Sequence, residues 1–134
     1  TSSVDYQSLA ECRYLIRRFL ASSEELAKGK GMTPQQHLLM LAIAGRPAGE
    51  EPTIRYLADR LRIKHHSAVG LVDRLGAQGL IEREHSSIDR RQVFVRLTKQ
   101  GAAVLENLSA SHRQELRTLA PRLVDALRAV VSSS

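Results

Sequence analysis

Ten cationic side chains between Thr53 and Gln100 pose the first chemical question. They are Arg55, Arg60, Arg62, Lys64, Arg74, Arg83, Arg90, Arg91, Arg96 and Lys99, against five acids, Asp59, Asp73, Glu82, Glu84 and Asp89. The full chain of 134 residues carries a net charge of +6, so nearly all of the excess sits in this stretch. A concentrated positive patch is the footprint of a polyanion, and nucleic acid is the partner it points to. Other chemistries are poorly supplied. His65 and His66 are adjacent, about 100° apart on a helix, which is poor geometry for chelation. His37, His85 and His112 have no sequence neighbour at metal-ligand spacing, so no metal is expected. There is no nucleophile elbow and no phosphate-cradling glycine loop, so neither an enzyme nor a cofactor is expected. A single cysteine, Cys12, can form no internal disulfide and no zinc cluster, which fits a reducing, cytoplasmic compartment. Thr1 to Gln7 lack a signal-peptide layout, and no apolar run approaches the roughly 18 residues of a membrane span.

The elements that must position these cations can be read from periodicity. Over residues 5–28, Leu9, Cys12, Ile16, Phe19, Ser23 and Leu26 recur at spacings of three and four, with Leu15 and Leu20 widening the stripe. At about 1.5 Å per residue this helix is longer than a small domain needs, so it is expected to pack on something beyond its own domain. Thr33-Pro34-Gln35-Gln36 is a helix start: Thr33 caps, Pro34 suits the first position and Gln36 closes a capping box. Ile54, Leu57, Ala58 and Leu61 mark one short helix, and Ala68, Leu71, Val72 and Leu75 mark a second. Only Arg62-Ile63-Lys64 separates them, which is a helix-turn-helix layout. Gly79 reads as a left-handed terminator, with Leu80 facing Leu75 as in a Schellman motif. Ile81 to His85 and the alternating Val93, Val95 and Leu97 then predict two strands joined by a hairpin over residues 86–92, a wing with a basic tip. Thr98 caps a long helix whose buried face is expected to be Val104, Leu105, Leu108, His112, Leu116 and Leu119. Pro121 is expected to break or kink it before a last helix carrying Leu123, Leu127 and Val130.

The recognition helix can be laid out by angle. Ala68, Leu71, Val72 and Leu75 cluster on one side, and His66, Val69, Gly70 and Asp73 lie opposite. The N-terminal half of such a helix enters the major groove. His66, Ser67, Val69 and Gly70 are therefore the base-facing candidates: Ser67 and His66 by hydrogen bonds, Val69 against a thymine methyl. No Arg or Asn stands there for bidentate reading, so direct readout is expected to be modest, with DNA shape contributing. Lys64, His65 and Arg74 suit phosphates, and Arg55 joins the DNA-binding candidates. Arg90 and Arg91 on the wing suit a narrow minor groove.

The order Leu57-Ala58, Leu61, Leu71-Val72-Asp73-Arg74-Leu75, Gly79-Leu80-Ile81 and Arg83, followed by Asp89-Arg90-Arg91, Val95-Arg96-Leu97-Thr98 and Gly101, resembles the MarR family of winged helix-turn-helix regulators over essentially the whole chain. The resemblance implies a mainly α fold with a small β-wing. It implies a winged part over residues 33–100 and a helical dimerisation part over 1–30 and 101–134, all in one MarR-type domain. It implies a homodimer on a pseudo-palindromic duplex operator, repressing transcription and released by a small-molecule effector. Asp89 would orient Arg91. The family often has a larger polar residue where this chain has Gly70. An effector pocket lined by Tyr14, Arg18, His37 and Met40 is implied in the same way. Two alternatives stand beside this reading. One is a peroxide-sensing repressor using Cys12; the other is a winged-helix protein-interaction module without DNA binding.

Overall fold

The computed structural model of the chain describes residues 5–89 and 91–132. Among these the elements in chain order are α1 (Tyr6–Gly29), α2 (Pro34–Ala44), α3 (Ile54–Leu61), α4 (His65–Ala77), β1 (Ile81–His85), β2 (Val93–Leu97) and α5 (Lys99–Ser132). They fall into two compact units: Gly31–Asn107, and Thr1–Lys30 together with Leu108–Ser134.

The winged unit forms where the local signals are strongest. Thr33 accepts from the Gln36 N–H at 3.1 Å, and the Gln36 side chain accepts from the Thr33 N–H at 3.1 Å, so the expected capping box starts α2. Thr53 caps α3 in the same manner, accepting from the Tyr56 N–H at 3.1 Å. The three-residue turn holds Arg62 at φ 55°, a left-handed position that glycine fills at lower cost. Here the chain is held there by two bonds: the Arg62 N–H reaches the Asp59 carbonyl and the Ile63 N–H the Ala58 carbonyl, both at 3.0 Å. The end of α4 follows the sequence reading. Gly79 has φ 75°, its N–H reaches the Gly76 carbonyl at 3.0 Å, and the Leu80 N–H reaches the Leu75 carbonyl at 3.0 Å. Leu75 and Leu80 are both buried.

The wing is a two-stranded antiparallel sheet with Ile81 opposite Leu97 and His85 opposite Val93. It is not free-standing. Val95 donates to the Pro52 carbonyl at 2.8 Å and Phe94 bridges Thr53, so β2 is tied to the residues that begin α3. The core beneath is Leu39, Met40 and Ile43 of α2, Leu57 and Ala58 of α3, Ala68, Leu71, Val72 and Leu75 of α4, with Ile81 and Val95. Each fully buried leucine here contributes roughly 1.5–3 kcal/mol.

The helical unit pairs α1 with the later part of α5. Ser23 meets His112 at 3.3 Å and Glu11 meets Arg122 at 2.7 Å, so the two helices run antiparallel. Cys12, Leu15, Ala27, Leu108, Leu119 and Ala126 are buried. Two expectations fail in this unit. The break expected as one outcome at Pro121, with a separate last helix after it, is absent: α5 continues through it to Ser132. A proline removes one N–H and crowds one carbonyl, and a long helix with bonds on both sides absorbs that defect. The apolar stripe of α1 also splits in two. Leu116, expected on the buried face of α5, is exposed, as are Leu127 of α5 and Leu9, Ile16 and Leu20 of α1, the helix expected to pack beyond its own domain. A helix with apolar residues on more than one side has more to bury than one neighbour can cover. No helix among the described residues is long and apolar enough to cross a membrane.

Candidate nucleic-acid interface

Ala68, Leu71, Val72 and Leu75 turn one side of α4 into the winged unit's core and leave the opposite side outward. His66 and Ser67 are exposed near its N-terminus, and Val69 and Gly70 are half-buried one turn on. A Cβ at Gly70 would meet nothing within 4 Å, so the helix surface is open there and backbone can be approached closely. Lys64 stands at the N-cap with no side-chain capping bond, and Lys64, His65, Arg74 and Arg55 are all exposed. The N-terminus of α4 adds its uncapped N–H groups and positive dipole end to this cationic surface.

The wing tip is shaped by its own side chains. Ser86 Oγ accepts from the Ile88 and Asp89 N–H groups, both at 3.2 Å. Asp89 Oδ1 accepts from the Arg91 N–H at 3.0 Å and lies 3.9 Å from Arg91 Nε. The Arg91 side chain is 96% exposed. Arg90, the other wing cation, lies outside the described residues.

Not every cation in the stretch is available. Arg83 of β1 donates to Asp73 of α4 at 2.6 Å. Arg96 of β2 donates to Glu84 at 2.6 Å, lies 3.7 Å from Glu51 and stacks over Phe94 at 5.7 Å. Arg60 lies over the Tyr56 ring at 6.0 Å. A charge count cannot see these pairings, because the partners are brought together by the fold.

Three further features escaped the sequence reading. Helix angle alone puts Asp73 on the outward face of α4 and says nothing of Arg83, its partner in the fold. Ile88, 97% exposed at the wing tip, is an apolar side chain beside the tip's cations. Gly101 belongs to the quoted motif, but its reason is steric. A Cβ there would come 1.9 Å from the Leu80 carbonyl oxygen, so α5 can begin against the end of α4 only if residue 101 has no side chain. Thr98 completes that junction, donating to the Gly79 carbonyl at 2.6 Å while accepting from the Gly101 N–H at 3.0 Å.

The four residues expected around an effector divide between the units. Tyr14 and Arg18 are exposed on α1, while His37 and Met40 are buried on α2. Cys12 is buried on α1, only 7% exposed. Among the described residues, no group of three or more His, Cys, Asp or Glu side chains could hold a metal ion.

Comparison with known proteins agrees with this geometry. A family profile described as "MarR family" matches residues 30–92. The HTH-type transcriptional repressor YetL of Bacillus subtilis (strain 168) is 30% identical over 90 residues, which is 66% of this chain and 53% of that protein. A regulatory protein named for the hcr operon of Thauera aromatica is 26% identical over 113 residues, 84% of this chain and 66% of its own length. The chain thus spans between half and two thirds of these relatives. Among solved structures, a point mutant of S. aureus MepR superposes with a TM-score of 0.74 at 17% identity, covering 90% of both chains. The structure titled for regulation of DNA binding of Bordetella bronchiseptica BpsR by 6-hydroxynicotinic acid gives 0.65 at 21%, covering 91% of both. The winged unit, its tied-down hairpin and these matches together make the chain similar to the MarR family, most directly over residues 30–92.

Proposed function

We propose that the chain is a sequence-specific DNA-binding transcriptional regulator. It acts in the cytoplasm as a homodimeric repressor on a pseudo-palindromic operator. The observation that carries this reading is the outward face of α4, which presents His66, Ser67, Val69 and Gly70, together with the exposed cations Arg55, Lys64 and Arg74 and the exposed His65. In the proposed complex Arg55, Lys64, His65 and Arg74 meet phosphates, and His66, Ser67, Val69 and Gly70 meet base edges in the major groove. Arg90 and Arg91 enter the flanking minor groove, Arg91 held by Asp89.

Homodimerisation is supported by the apolar side chains the helical unit leaves outside. Leu9, Ile16 and Leu20 on α1 and Leu116, Val124, Leu127 and Val131 on α5 are all exposed. Scattered apolar residues are ordinary, but a repeated stripe on two paired helices is what an obligate interface requires. Two copies would set their recognition helices roughly 34–36 Å apart, one turn of duplex. BpsR, by its title, has its DNA binding regulated by 6-hydroxynicotinic acid. A small-molecule effector is proposed here by that analogy, with Tyr14, Arg18, His37 and Met40 as the residues to mutate first. The burial of Cys12 favours a packing role over the peroxide-sensing alternative.

The test is selection of duplexes from a random pool, followed by affinity measurement over a salt series. Enrichment of a two-fold symmetric sequence is expected. Failure to enrich any duplex would leave only the protein-interaction alternative.

A further inference from the structure

Asp73 is a carboxylate in the wrong place for a phosphate-binding surface. It follows His66 by seven residues, which returns it to within about 20° of the same direction on the helix, and it sits about 4.5 Å along the axis from Gly70. It therefore lies in line with the side chains proposed to face the bases. An unpaired acid there repels the duplex. Arg83, ten residues later on β1, removes that charge by donating to Asp73 Oδ1 at 2.6 Å. The two side chains are 58% and 44% exposed. Pairs so open to water add little to stability, so holding the fold together does not explain the contact.

We infer that the Asp73–Arg83 pair sets the ratio between specific and non-specific DNA binding, by keeping Arg83 off the phosphate backbone and screening Asp73 from it. This inference rests on the DNA-binding reading. Every phosphate contact strengthens binding to all sequences alike, whereas base contacts discriminate. The outward face of α4 offers only modest base contacts, so an additional free arginine beside it raises non-specific binding faster than specific binding. Tying Arg83 to Asp73 holds the cation count down where discrimination is weakest. The same bond links α4 to β1, so each end of the pair also positions the other. Both are positioning residues.

The experiment compares wild type, Asp73→Asn, Arg83→Ala and the double variant. The probes are a random-sequence duplex pool about three helical turns long and the duplex that wild type enriches from it. Fluorescence anisotropy is read over a salt series, with circular dichroism confirming the fold. Asp73→Asn frees Arg83 without changing side-chain shape. It is expected to bind the random pool roughly threefold to tenfold more tightly, with a log–log salt slope steeper by about 0.9. Its preference for the enriched duplex is expected to fall about tenfold. Arg83→Ala bares the carboxylate and is expected to lose about tenfold on both probes. The double variant, lacking that carboxylate, is expected to recover most of the loss. A purely structural pair would move neither the salt slope nor the discrimination ratio. If wild type discriminates but Asp73→Asn leaves slope and ratio unchanged, or weakens binding to both probes, the pair has no such role and the DNA-binding reading stands. If wild type binds no duplex, both fall.

Discussion

Two glycines in the winged unit make opposite demands, and the difference is measurable. Gly101 faces the Leu80 carbonyl oxygen, which a Cβ would approach to 1.9 Å. That oxygen also accepts from the Thr98 N–H at 3.1 Å. Gly101→Ala must push backbone from backbone and break this junction, so a loss of about 3 kcal/mol is expected. Gly70 has nothing within 4 Å of a built Cβ. Gly70→Ala should instead stabilise α4 by roughly 0.5–1 kcal/mol while adding a methyl to the outward face. Urea denaturation midpoints measure both. The sequence shows Gly101 only as a letter in a family motif, because its cause is a carbonyl twenty-one positions earlier in a different element. Asp73 and Arg83 were legible as residues but not as a pair, since a helix end and a chain reversal lie between them. Gly79, by contrast, was readable outright, because a Schellman ending is local and needs no tertiary partner.

At the scale of elements, the wing and α1 give separable tests. The Arg91 side chain is 96% exposed and lies beside Asp89, so its removal leaves the core intact. Arg91→Ala is expected to weaken binding to the selected duplex by about 1–3 kcal/mol with unchanged thermal unfolding. Asp5 caps α1: its carboxylate accepts from the Ser8 hydroxyl at 2.6 Å and the Ser8 N–H at 3.0 Å. These two bonds, the hydroxyl first, hold its pKa below the ordinary 3.8. A lowered folded-state pKa means the cap is present above that ordinary value and is lost as the pH falls through the lower one. The helicity difference between wild type and Asp5→Ala, read by far-UV circular dichroism, should therefore be present at neutral pH and close in acid. The capping box, the helix-turn-helix and the two strands of the hairpin were all visible in the sequence, since caps and alternation are short-range signals. Pro121 misled because its penalty is local while the continuity of α5 is decided by the whole helix. The stripe on α1 was legible, but spacing alone does not say which of its residues meet a neighbour within the chain. Cys12 and Leu15 are buried within this chain, whereas Leu9, Ile16 and Leu20 are not.

For the molecule as a whole, those uncovered side chains are the physical basis for the proposed second copy. Ile16→Asp together with Leu20→Asp places charge in the proposed interface without touching the buried Cys12 or Leu15. Sedimentation should report a monomer in place of a dimer, and affinity for the two-fold operator should fall more steeply than affinity for a half-site. The paired cations revise the charge argument at this scale. Arg83 and Arg96 are committed to Asp73 and Glu84, so the field that a duplex meets comes from fewer side chains than composition suggests. Composition measures total charge, while only the fold decides which charges face outward alone. The most direct measurement is therefore the equilibrium affinity for the selected duplex as a function of salt. The account predicts a straight log–log line of steep negative slope, with about 0.9 contributed by each phosphate that meets Arg55, Lys64, Arg74, Arg90 or Arg91. Affinity that is independent of salt, or absent in dilute buffer, would contradict it.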